Sequence, residues 1–126
     1  MAATDRTVTK MIFIPVLDEN GEPKKLPSGE IQVEREIGAF TFRKPTMWDE
    51  MEIGTRRSIN LKGQTRDQVD PDTYWLADAF SRLSTLIEKA PDKFDLLAVD
   101  DVRVIGALYR GLNEALGRGL EDAKEG

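Results

Sequence analysis

The side chains of this chain that can do chemistry are carboxylates, cations and hydroxyls, because it contains neither Cys nor His. Disulfides, thiolate nucleophiles, zinc-finger ligands, imidazole bases and His-based triads are thereby excluded. An enzyme built from this sequence would run on Asp, Glu, Lys, Tyr, Ser or Thr. It would lack the side chain that most readily moves protons near neutral pH. The carboxylate groupings are few. Asp18-Glu19-Asn20-Gly21 opens like a calcium loop, yet the alternate acidic ligands and the closing Glu are missing, so it reads as a turn. Asp100 and Asp101 are adjacent and point different ways at a helix start, which suits caps better than a catalytic pair. Asp92 and Asp95 flank Phe94 in a loop and read as solvated. No glycine-rich segment follows a strand with phosphate-cradling spacing. The expectation is a protein that is not an enzyme and uses no cofactor and no metal.

The cations point to partners rather than to catalysis. Arg56, Arg57, Lys62 and Arg66 form the one basic stretch, read either as a partner-facing patch or as a solvated helix end. The net charge is −5 and uneven: residues 1–66 hold 11 Lys and Arg against 10 Asp and Glu, and residues 67–126 hold 7 against 13. So acidic a chain does not suit sequence-independent nucleic-acid binding, which depends on many phosphate contacts. No run approaches the roughly 20 apolar residues of a membrane span. Met1 to Lys10 is polar, and the apolar run Met11 to Leu17 is short and contains Pro15, so neither reads as an export signal. The expected location is the cytoplasm, with no membrane and no nucleic-acid partner.

At 126 residues, the chain reads as one domain, 1–126, with flexible ends at 1–10 and 117–126. Met11-Ile12-Phe13-Ile14 suits a strand that stops at the Asn20-Gly21 turn. Pro23, Pro27 and Gly29 then make 18–29 an exposed loop. From Glu30, alternation puts Ile31 and Val33 on one face, and Phe40 with Phe42 on one face after Gly38. This predicts a hairpin turning near Ile37-Gly38.

Three helices follow. Thr46 and Asp49 make a capping-box start for a helix over about 47–58. Met47, Met51, Thr55 and Ile59, with Trp48 beside them, lie on adjoining rows of it. They are read as contacts with the sheet rather than as a pliable binding surface. Asp70-Pro71 opens a second helix. Trp75, Leu76, Ala79, Phe80, Leu83, Leu86, Ile87 and Ala90 give it an apolar stripe, and Pro91 ends it. The stripe is read as core, because an exposed stripe of that size favours aggregation. Asp100 or Asp101 caps a third helix carrying the apolar line Leu108, Leu112, Leu116 and Leu120, weakened by Gly106, Gly111, Gly117 and Gly119. Either that end firms up against a partner, or its glycines permit close packing. Strands first and helices after predict an α+β fold: a small N-terminal antiparallel hairpin or meander followed by three helices.

Several of these segments resemble one family. Phe40-Thr41-Phe42-Arg43-Lys44-Pro45-Thr46 runs into Trp48-Asp49-Glu50-Met51-Glu52-Ile53-Gly54, followed by an Ala90-Pro91-Asp92-Lys93-Phe94-Asp95 bend and Leu108-Tyr109-Arg110-Gly111-Leu112. Over about residues 30–116 this arrangement resembles the small tail assembly chaperones of long-tailed bacteriophages. The resemblance implies a cytoplasmic protein that coats the long, apolar, helical tape-measure protein during tail morphogenesis in the bacterial host. The family's charged helix tail is replaced here by a glycine-rich one. The alternative is a structural or adaptor component of the tail or connector. In either reading the partners are proteins, with a homo-oligomer also open, and the expected partner-binding residues are Leu108, Leu112, Leu116, Leu120, Arg56 and Arg57.

Overall fold

The computed structural model describes residues 6–117, and the fold is α+β. Strand β1 (Thr7–Pro15) pairs antiparallel with β2 (Val33–Arg43), and β2 pairs antiparallel with the short β3 (Ile87–Lys89). Three helices follow the β1–β2 pair in sequence: α1 (Met47–Asn60), α2 (Pro71–Leu86) and α3 (Val102–Leu116), with β3 inserted after α2. Side-chain alternation gives the sheet one apolar face. Ile12, Ile14, Phe40 and Phe42 are buried, while Thr9, Met11 and Ala39 are exposed on the other side. There the Thr9 and Thr41 hydroxyls meet at 2.8 Å across the strands.

The apolar face packs on the helices. Phe40 stacks at 6.4 Å on Phe42 and takes the edge of Phe94 at 4.9 Å. Leu83 and Leu86 of α2, Leu108 and Leu112 of α3, and Ile53 of α1 complete the core. Offset and edge-on aromatic contacts add about 1 kcal/mol each to the burial itself.

Several expectations hold. The loop at 18–29 is exposed, pinned by bridges from Leu17 to Pro23 and from Lys25 to Ile31. Asp70 and Asp101 cap α2 and α3. Others are corrected. Residues 33–43 form one continuous strand, not a hairpin, and its partner is β1. Gly38 marks a bulge rather than a turn: Ile12 pairs with it, the next partner of β1 is Glu36, and Ile37 is left extra. At φ +134° only glycine sits easily, and a Cβ there would come within 2.6 Å of Pro91 Cγ. Ile31 and Val33 are exposed, because the helices cover only the Phe40 end of β2. Of the start expected to be loose, residues 7–10 lie in β1 and pair with the backbone of β2, and residues 1–5 lie outside the described residues. The second helix stops at Leu86, four residues before Ala90. From Ile87 the backbone is extended and supplies a partner to the free edge of β2.

The glycines of α3 separate into two kinds. An added Cβ at Gly106 meets nothing within 4 Å. At Gly111 it would overlap Ile12 Cδ1, with Phe42 also 3.9 Å away. Close packing, not ordering on a partner, accounts for Gly111. Chemical denaturation should therefore give opposite signs. Gly106→Ala should stabilise by about 1 kcal/mol, and Gly111→Ala should destabilise by about 1–3 kcal/mol. In an Ile12→Val background, which lacks the overlapping methyl, the Gly111→Ala penalty should shrink. An unchanged penalty there would show that the overlap does not cause it.

Candidate functional site

Three residues join β2 to α1, and the joint fixes how α1 is rolled about its axis. Thr46 Oγ1 accepts the Asp49 amide at 3.1 Å, and Asp49 Oδ2 accepts the Thr46 amide at 3.0 Å. Arg43, the last residue of β2, adds an Nη2 donation to Asp49 Oδ1 at 2.7 Å. These donors, Arg43 first, lower the Asp49 pKa to about 2. With Asp49 turned inward, Ile53 one turn later is also buried. The expected core contacts of α1 therefore point outward: Met47 is 81% exposed, Trp48 69%, Met51 64% and Ile59 68%. This corrects the reading of those residues as sheet contacts.

A second polar cluster ties the helices together. Asp78 on α2 accepts from Arg57 of α1 at 2.6 Å, from Arg82 of α2 at 3.1 Å and from the Tyr109 hydroxyl of α3 at 3.2 Å. Burial pushes the Asp78 carboxyl up, but the hydrogen bonds and charges of Arg57 and Arg82 outweigh it, so the carboxyl sits below the ordinary range. Every acidic oxygen here is matched by cations, which is the pattern of a structural brace rather than of a poised acid or base. Among the described residues no three His, Cys, Asp or Glu side chains converge on a metal-sized site.

Among the described residues, one concave feature is a groove of about 800 Å³ beside α2. Its floor is the α2 face bearing Thr73, Leu76, Phe80 and Leu83, and it continues to Ile87. Ile59 and Arg56 of α1 form one wall, and Phe94, Leu96 and Leu97 form the other. Leu97, on the short 3₁₀ turn 96–98, is 85% exposed. Such a lining is mostly apolar with a few polar groups at the rim, as binding grooves are. The stripe of α2 thus divides between core, at Leu86, and groove, at Leu76 and Phe80, with Leu83 shared between the two. The sequence offered the stripe but not the split, since periodicity does not say which side lacks a partner.

The residues expected to bind a partner are placed elsewhere. Leu108 and Leu112 are buried in the core, Leu116 is half-buried against it, and Leu120 lies outside the described residues. Within the described residues α3 thus turns Leu108 and Leu112 toward β1 and β2. Arg57 belongs to the Asp78 brace, and Arg56 donates to Ser84 Oγ at 2.9 Å on the groove wall. Arg66 lies over the Tyr74 ring at 5.0 Å. The basic stretch is therefore folded back onto α2 for most of its length.

Comparison with protein-family models, with curated proteins and with solved structures gives no match to this chain.

The Arg43–Asp49 joint predicts a pH dependence. Because the folded pKa of Asp49 lies below its unfolded value near 3.9, its contribution is present above pH 4 and is lost as pH falls toward 2. Allowing for solvent screening through the partly exposed Arg43 side chain, the loss is about 1 kcal/mol. Urea unfolding of Asp49→Asn should show a correspondingly shallower fall in stability from pH 4 to pH 2 than the wild type. An identical fall would place the acid sensitivity elsewhere.

Proposed function

We propose that this chain is a protein-binding assembly factor that takes an amphipathic helical segment of a partner into the groove beside α2. The groove is the observation that carries this reading. Its floor repeats at Thr73, Leu76, Phe80, Leu83 and Ile87, the i, i+3, i+7 rhythm of a helix face. At 1.5 Å per residue that face is about 20 Å long, which accommodates roughly four turns of a helix laid along it. The walls are apolar, so the occupant presents an apolar stripe to the groove and keeps its polar side in water. Arg56 at the rim favours an acidic residue on the occupant's near flank.

Within this reading the resemblance of the sequence to phage tail assembly chaperones supplies the identity of the occupant: a helical stretch of the tape-measure protein. The polar clusters support a non-enzymatic role, since Asp49 and Asp78 are engaged by arginines that hold helices in place. No described helix is long and apolar enough to cross a membrane.

The test uses the tagged full chain co-expressed with a tape-measure protein from the same gene cluster. The wild type should retain that protein on purification. Ile59→Glu with Leu97→Glu puts two charges on the groove walls at side chains that are mostly exposed. The double variant should keep its melting temperature and weaken retention about tenfold or more, the equivalent of at least 1.4 kcal/mol. Equal retention by a folded variant would remove the groove from the proposal. Recovery of the chain in purified tail particles would assign it to the structural class instead.

A further inference from the structure

The outward face of α1 is separate from the groove floor and has a pattern of its own. Met47, Met51, Gly54 and Ser58 follow one another at i, i+4, i+7 and i+11, so they form one line along the helix. Exposed Trp48 stands beside the start of that line and Ile59, at the groove edge, beside its end. The bulky members occupy the first half of the helix and the small members the second. Gly54 has no role within the fold: a Cβ there meets nothing within 4 Å, and its backbone is helical. A helix-interior glycine without an internal contact costs about 1 kcal/mol relative to Ala. The charges beside that line divide in the same way, with Glu52 in the first half and Arg56 in the second, while Glu50 and Arg57 turn to Arg82 and Asp78 of α2.

We propose that this face binds a second copy of the chain, with the two α1 helices packed antiparallel about a two-fold axis near residues 52–53. Self-complementarity is what a two-fold interface requires, because each half of the patch meets the other half of its copy. An antiparallel pair seats Met51 of one copy over Gly54 of the other and Met47 over Ser58. It also sets Glu52 of one copy beside Arg56 of the other and opposes the helix dipoles. Glu52 and Arg56 are paired at 3.5 Å along one helix. Across the axis each gains a partner without giving up that contact. A parallel pair would place Met on Met, Gly on Gly and like charges together, which loses both kinds of match. At about 200 Å² for each large side chain, Met47, Trp48, Met51 and Ile59 offer roughly 500 Å² per copy, so two copies bury on the order of 1,000 Å², the lower bound of a specific interface.

Sedimentation of the full chain from 1 to 200 μM tests the pairing. The wild type should shift from monomer to dimer across that range. Gly54→Leu fills the helix crossing with a residue that the fold itself accommodates. It should raise the melting temperature of the monomer and reduce self-association at least tenfold. A wild type that stays monomeric at 200 μM overturns the proposal, as does a Gly54→Leu variant that dimerises like the wild type. The absence of native Cys makes orientation accessible. Met47→Cys and Ser58→Cys should each cross-link poorly alone, because each thiol then lies about 16 Å along the axis from its copy. An equimolar mixture of the two should form the disulfide readily. Efficient cross-linking of either variant alone would overturn the antiparallel arrangement. A stoichiometric complex with a different protein through Met51, in place of self-association, would also overturn it.

Discussion

The ion pair between Arg43 and Asp49 joins the last residue of a strand to the first turn of a helix, and the surfaces of this protein depend on it. A helix turns 100° per residue, so fixing one side chain inward fixes all the others. With Asp49 held by the Arg43 guanidinium and by the Thr46 amide, Ile53 follows it into the core. Met47 and Met51 are carried to the far side by the same rotation. Arg57 comes round to meet Asp78, and Ile59 reaches the groove edge. One carboxylate therefore determines which residues of α1 are structure and which are surface. A roll of α1 by a third of a turn would bury the methionines and leave Asp78 without Arg57. It would also turn Ile59 away from the groove.

What the sequence revealed, and what it hid, follows from this dependence. Helix starts were legible because the capping chemistry is local: Thr46 with Asp49, Asp70 before Pro71, and Asp101 each use side chains within three residues of the amide they serve. The α+β class was legible for the same reason, since alternation at Phe40 and Phe42 and helical spacing on α2 are short-range patterns. The roll of α1 was not legible. It depends on the end of a strand in a different hydrogen-bonded ladder, and Met47, Trp48 and Met51 at helical spacing look the same whether they face in or out. Gly38 misled for a related reason. A glycine between two alternating runs signals a turn, but here it makes room for Pro91, more than fifty residues away. Ile87 continues the apolar spacing of α2, yet the unpaired edge of β2 draws it into extended backbone.

The candidate site was visible only in part. The stripe from Leu76 to Leu86 carried the signal, but nothing local distinguishes the rows that meet the sheet from those that line the groove. That division is made by the 94–97 segment, which approaches one side of α2 and leaves a trough instead of closing on it. The leucines of α3 had an equally strong signal and became core, because Gly111 lets that helix approach Ile12 closely. The same periodicity thus produced a buried face on one helix and an open one on its neighbour. The deciding variable was how near a third element could come.

The contact of α3 with β1 also sets an order of events. Lys10 and Glu114 stand 3.6 Å apart, and Gly111 rests on Ile12. The earliest described strand is therefore sealed by the latest described helix. On a ribosome, which releases the chain from its N-terminal side, β1 is followed by about 90 residues and β2 by about 65 before Leu108 and Leu112 arrive to cover them. During that interval Ile12 and Phe42 have no lid, whereas α1 and α2 can already pair through local contacts. The apolar face of the sheet is thus the last to be covered, and an uncovered apolar sheet is the kind of surface through which chains misassemble.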